Sequence, residues 1–208
     1  MKIGIIGSGH IGGTLTRRLR ALGHDVTVAN SRGPQSLTDL AQETGATAGD
    51  VAQAVQDAEL VVLAVPLLAV PALPAQLFDG KLVVDADNYY PQRDGDIAEL
   101  LDRSLSSSRW TADHLKGARV VKTFNNIQAA HLMGNGRPAG ADDRIALPVA
   151  GDDADAKQVV MRLVDALGFD PVDAGTLDES WRQQPDTPVY GTDRDAEGVR
   201  QGLAEARP

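Results

Sequence analysis

Three glycines carry the first chemical signal in this chain. Gly7, Gly9 and Gly12 spell G-x-G-x-x-G directly after the apolar run Met1–Ile6, a spacing that fits a strand turning into a helix. In such a turn Gly7 permits the bend, Gly9 lets a pyrophosphate approach the backbone, and Gly12 lets the helix lie close on the sheet. The unpaired N–H groups at the helix N-terminus are where that anion would sit. The motif alone is weak among 21 glycines, and a purely structural turn is the alternative. Its context is stronger: Ile11, Leu15 and Leu19 recur on one side of the predicted helix, and a second strand follows at Asp25–Ala29.

The residues after that second strand discriminate between dinucleotides. An NAD site places Asp or Glu there for the ribose hydroxyls, whereas this chain has Asn30, Ser31 and Arg32. A carboxylate would repel a 2′-phosphate. Arg32 offers it charge-assisted donors, and Ser31 and Asn30 add hydrogen bonds, so NADP is favoured over NAD. The alternative for Arg32 is a solvated loop arginine.

Further candidates stand where later strands end. Leu60–Val65 is an apolar run stopped by Pro66, which either covers part of the cofactor or merely ends the strand. Lys81–Ala86 leads into Asp87 and Asn88, candidate contacts to substrate or cofactor. The strand in ARVVKTFNNI ends at Asn125, Asn126, Ile127 and Gln128. Two adjacent amides there can orient a carboxamide or planar heterocycle with paired donors and acceptors, or form an Asx turn that caps the next helix.

Other chemistries are poorly represented. With no cysteine, thiol nucleophiles and disulfides are excluded. The four histidines lack zinc-binding spacing, and no metal site is expected. The net charge of −9 comes without a basic stripe, which argues against a nucleic-acid partner. Leu60–Ala75, the longest apolar stretch, contains three prolines, so no membrane span is expected, and no signal peptide is read at Met1. A cytoplasmic protein is the expectation.

No hydrolytic triad emerges. Hydride transfer from NADPH asks mainly for alignment against an acceptor. Without an obvious Lys, His or Tyr acid, a conjugated ring that delocalises the incoming electrons fits better than a simple ketone. The alternatives are reduction of an imine or carbonyl, with Asp87 or water giving the proton, and a non-catalytic NADP-binding regulatory protein.

These strands and helices predict an α/β, Rossmann-type doubly wound, mostly parallel sheet with a small C-terminal extension. Residues 1–150 are assigned to the NADP-binding unit and 151–208 to the extension, packed on the same body or on a partner. The extension takes in the amphipathic helix of ADAKQVVMRLVDALG and the short strand Pro171–Ala174. The segment 91–108 reads as an excursion over the site mouth, helical in DGDIAELL and loose in SLSSS. Arg109 and Trp110 either form a lid or pack in place.

GSGHIGG, NSRGP, VVKTFNNI and GDDADAKQVVMRLVDALGFDPVDAGTL in this order resemble the coenzyme F420-dependent NADP oxidoreductase family over nearly the whole chain. The resemblance implies a small homodimeric Rossmann enzyme that moves hydride between NADPH and the deazaflavin F420. It also implies cofactor roles for Ser8, His10, Ile11, Ser31, Arg32 and the loop after Val65. Archaeal members of the family carry His-Thr-Ile-Pro where Asn125, Asn126, Ile127 and Gln128 stand here. KTFNNI is similar instead to the cytoplasmic domains of membrane ferric reductases, which pass hydride from NADPH to flavin. FMN or FAD therefore joins F420 as an expected acceptor.

Overall fold

The computed structural model describes residues 1–207. Alternation along the strands sets its layers. In β1 (Lys2–Ile6) Ile3 and Ile5 point into one core and Ile6 into another, and in β4 (Leu60–Leu63) Leu60 and Val62 oppose Val61 and Leu63. Strands that are apolar on both faces need cover on both, and helices supply it. The first core is closed by α1 (His10–Ala21), through Leu15 and Leu19, and by α8 (Ala154–Ala166), through Val160, Leu163 and Val164. The second takes Val55 from α3 (Val51–Gln56), Phe78, and Leu115 at the end of α6 (Ser107–His114).

The remaining strands are β2 (Asp25–Ala29), β3 (Thr47–Ala48), β5 (Leu82–Asp85), β6 (Arg119–Lys122), β7 (Ala146–Gly151) and β8 (Asp170–Asp173). They form one eight-stranded sheet in the order β3-β2-β1-β4-β5-β6-β7-β8. Pairing is parallel except between β6 and β7. This is the doubly wound α/β architecture expected, and the carboxyl ends of β1 to β6 share one edge, where such sheets bind ligands. The expected boundary at residue 150 falls inside β7.

Local breaks follow the sequence. Pro34 opens a 3-10 turn (Pro34–Leu37) before α2 (Thr38–Thr44), which Gly45 ends in a left-handed conformation. After Leu67 the chain forms two 3-10 segments, Leu67–Ala72 and Ala75–Phe78, because Pro71 and Pro74 remove the donors an α-helix needs.

In the excursion, α4 (Pro91–Asp94) and α5 (Ala98–Leu101) are single turns, so the expected DGDIAELL helix is only partly formed. The expected loose SLSSS differs too: Ser106, Ser107 and Ser108 are buried, and Ser106 caps α6 by accepting from the Arg109 N–H. Arg109 bridges Asp152 at 2.7 Å and Asp178 at 2.5 Å, and Trp110 packs beside Leu67, Val70 and Leu100. Both are held within the body.

The helices α7 (Ala129–Gly134) and α9 (Ala196–Glu205) complete the described chain. The tail docks on its own chain: Val199 and Leu203 of α9 join Val189 against Ala146, Ala150 and Val172. Its 3-10 turn, Asp178–Gln183, lies over the end of β6.

Candidate functional site at the carboxyl ends of the strands

The β1–β2 corner is built around the glycine turn. Gly7 has φ +106°, and a Cβ there would stand 2.0 Å from the Ala64 carbonyl oxygen. A Cβ on Gly12 would stand 1.9 Å from the Gly7 oxygen, so glycine alone lets the helix sit this close. Gly9 is different, because a Cβ there would meet nothing within 4 Å. It is the N-cap of α1, and no side chain caps the helix, so the first N–H groups are left for an outside partner. His10 is exposed and Ser8 and Ile11 are half-buried, with Ile11 packing on the core. An open groove runs from Ser8, Gly9 and His10 to Ala129, Ala130 and Met133 on α7, and exposed Gln128 immediately precedes that helix.

Asn30 fastens the corner. Its Nδ2 donates to Ser8 Oγ and Ser36 Oγ, both at 2.9 Å, and its Oδ1 accepts the Arg32 N–H at 2.9 Å. Asn30, expected to add hydrogen bonds to the phosphate, here shapes the loop with its amide. Ser31 and Arg32 are exposed, and the Arg32 guanidinium has no ion-pair or hydrogen-bond partner among the described residues. An uncapped helix end, an open glycine and an unpaired arginine fit a dinucleotide carrying an extra phosphate.

The β4–β5 corner holds a buried charge cluster. The Val65 N–H donates to Asp87 Oδ1 at 2.7 Å, which fixes the loop at half-buried Val65 and exposed Pro66. The Asp87 N–H donates to Asp85 Oδ1 at 2.9 Å, and Lys122 Nζ lies 3.7 Å from Asp85 Oδ2 while donating to the Asp87 carbonyl oxygen. Two buried carboxylates face one buried ammonium. Burial first, and then the charge of Asp85, push the Asp87 carboxyl well above the ordinary carboxylate range, with Lys122 opposing. Asp87 Oδ2 is buried with no hydrogen-bond partner. Asp87, expected as a contact to substrate or cofactor, is 3% exposed and positions Val65.

The β5–β6 corner departs furthest from expectation. The strand expected to run to Phe124 ends at Lys122, because Phe124 takes a left-handed backbone at φ 63° and turns the chain. Asn125 Nδ2 donates to Asn88 Oδ1 at 3.0 Å and to the Gln183 carbonyl at 2.7 Å, and its Oδ1 accepts Gln183 Nε2 at 3.0 Å. Asn88 Nδ2 donates to the Asn125 carbonyl at 2.8 Å. Asn126 Nδ2 donates to the Val189 carbonyl at 3.3 Å, and its own carbonyl accepts the Gly191 N–H at 2.8 Å. Ile127 lies in the core. Asn125 and Asn126, expected to face a ligand, bind the tail to the sheet with Asn88 bonded behind them, and neither Asn125 nor Asn126 caps α7, whose N-cap is Gln128.

Sequence reasoning missed an acid near this edge. Tyr90 and Tyr190 join hydroxyl to hydroxyl across 100 residues of chain, and Arg93 stacks over the Tyr90 ring at 4.9 Å. Burial first, and then the bond to Tyr90, raise the Tyr190 phenol above its ordinary range. Beside them a cavity of about 370 Å³ opens between Tyr89, Pro91, Leu105, Trp181, Asp186 and Thr187. Only the folded tail brings Tyr190 here, so no local pattern announced it.

Comparison with known proteins agrees with this geometry. Residues 2–89 match the family of NADP oxidoreductases, coenzyme F420-dependent. The structure of a hypothetical protein from Sinorhizobium meliloti is 34% identical, covers 93% of this chain and 95% of that one, and superposes with a TM-score of 0.80. In its first half the chain matches the F420-dependent NADP oxidoreductase family.

A proposed F420-dependent NADP-reductase from Arthrobacter sp. FB24 is 29% identical, with a TM-score of 0.73 over 88% of this chain and 87% of that one. Metalloreductase STEAP3 of Rattus norvegicus is 31% identical over 179 residues, 85% of this chain and 34% of that protein. The chain spans less than half the length of the curated relatives that it matches, 45% and 34%. An imine reductase from Pseudomonas sp., 18% identical with a TM-score of 0.58, shares the fold. Among the described residues no helix is long and apolar enough to cross a membrane.

Proposed function

We propose that this chain transfers hydride between NADPH and a deazaflavin or flavin-like ring at the carboxyl edge of its sheet. The observation that carries the reading is the β1–β2 corner, with its uncapped helix end, open Gly9 and unpaired Arg32 beside the fastened Asn30 loop. Ser8, Gly9, His10 and Ile11 line the pyrophosphate, Gly7 and Gly12 shape the turn, and Ser31 and Arg32 meet the 2′-phosphate. Bound NADPH supplies a hydride to the acceptor. Val65 and Pro66, held by Asp87, wall the nicotinamide side of the crevice, and Gln128 reaches it from α7.

Rapid mixing of NADPH with the protein and F420, FMN, FAD or riboflavin in turn tests this. Hydride transfer to at least one ring is expected, and transfer to none overturns the reading. Reduction of an imine or carbonyl is the second reading. The tyrosine pair favours it by supplying the acid that seemed missing from the sequence. Following deuterium from labelled NADPH into the product separates the two.

A further inference from the structure

We propose that Tyr90, backed by Tyr190 and Arg93, gives the reduced acceptor its proton. This rests on the hydride-transfer reading above. An imine or carbonyl that gains a hydride leaves its heteroatom electron-rich and in need of a proton, and a conjugated ring takes one only where the reduced ring ends neutral.

Placement is the first argument. Tyr90 lies just beyond β5, where its N–H donates to Asp94 Oδ2 at 3.0 Å. Arg93, stacked on its ring, donates to the Asn88 carbonyl at 2.8 Å. Tyr190 lies just beyond the tail turn, its N–H bonded to the Thr187 carbonyl at 3.1 Å, while the next residue, Gly191, is pinned to the Asn126 carbonyl past β6. Two separate segments therefore fix the two phenols over the ends of β5 and β6, on the edge where doubly wound sheets meet ligands. Residues on both sides of Tyr90, together with Thr187, line the neighbouring cavity.

Hydrogen-bond bookkeeping is the second argument. Two phenols carry two protons and share one hydrogen bond, so the accepting phenol keeps a proton with no acceptor among the described residues. Either hydroxyl can donate within the pair; Tyr90, whose chain neighbours Tyr89 and Pro91 line the cavity, is assigned as the accepting phenol, with its own proton free. The charged groups around the pair are Arg93, Asp87, Asp94 and Asp186. Arg93 is paired with Asp94 at 2.8 Å, and its guanidinium over the Tyr90 face stabilises negative charge that develops there.

The step balances. NADPH loses a hydride and becomes NADP⁺, and the acceptor gains that electron pair with the hydrogen. The Tyr90 O–H bond breaks, and its proton joins the electron-rich heteroatom. The Tyr90 oxygen, left negative, is held by the Tyr190 hydrogen bond until solvent returns its proton.

The test uses the full chain and its Tyr90→Phe and Tyr190→Phe variants, with the acceptor from the panel that turns over fastest. Tyr90→Phe is expected to lower kcat roughly 100-fold or more, and Tyr190→Phe roughly tenfold, with NADPH affinity within about twofold of the unaltered protein. A second readout needs no cofactor. The chain has three tyrosines, so the phenolate absorption band can be followed during alkaline titration. The last phenol to ionise should shift to lower pH in Tyr90→Phe, because its hydrogen-bond acceptor is gone. A kcat in Tyr90→Phe within about twofold of normal, or an unmoved titration, overturns this assignment alone. Absence of hydride transfer by the unaltered protein to every acceptor overturns the functional reading and this proton step together.

Discussion

The β1–β2 corner and the β5–β6 corner are built from similar polar residues at equivalent places, just past a parallel strand. They differ in what those residues do. At β1–β2 the helix end is uncapped, Gly9 faces open space and Arg32 is unpaired among the described residues. At β5–β6 the amide nitrogens of Asn88, Asn125 and Gln183 all donate within the corner or to the tail. A polar group left without an internal partner at a crevice is available to a ligand, whereas a buried and mutually bonded one holds the fold.

Substitutions can break this contrast. The largest effect is expected from Gly12→Ala, whose Cβ would land 1.9 Å from the Gly7 oxygen. It should cost about 3 kcal/mol of stability or more, read by denaturant melting. Asn125→Ala should follow at about 2–3 kcal/mol, because it strands the buried polar atoms of Asn88 and Gln183. If it melts normally but loses catalysis, the β5–β6 corner is a ligand site.

Gly9→Ala sharpens the comparison from the other side. With nothing near its Cβ, it should leave melting unchanged and weaken NADPH binding about tenfold, or about 1.4 kcal/mol. Asp87→Asn is expected to have the smallest effect and to show it through pH. The folded Asp87 carboxyl titrates above its unfolded value, so its contribution is complete below the ordinary carboxylate range and is lost as pH rises through the elevated value. Asparagine keeps an acceptor for the Val65 N–H and should flatten that decline in stability with rising pH. A variant whose stability falls with pH as steeply as before would contradict the placement of the charge cluster.

Much of the fold was legible because its signals are local. β2 was expected and found at Asp25–Ala29, and the glycine spacing located the turn and α1. Apolar runs such as Leu60–Leu63 announce strands covered on both faces. The β5–β6 corner was misread because an amide one residue past a strand looks the same whether it faces ligand or protein. What decided the outcome was the left-handed turn at Phe124 and a tail more than 50 residues away. Tyr90 and Tyr190 were hidden for the same reason. Asp85 and Lys122 left a faint sign, as charges inside otherwise apolar strands, which in a buried sheet must find each other.

The account depends most on Arg32 meeting a phosphate that NADPH carries and NADH lacks. Titrating both reduced cofactors into the unaltered protein and Arg32→Ala, by nicotinamide fluorescence, tests this directly. NADPH should bind the unaltered protein more tightly, and Arg32→Ala should weaken NADPH by roughly 10–100-fold, equivalent to about 1.5–3 kcal/mol for a charged hydrogen bond, while leaving NADH unchanged. Equal affinity for the two cofactors, or a preference for NADPH that survives in Arg32→Ala, would contradict it.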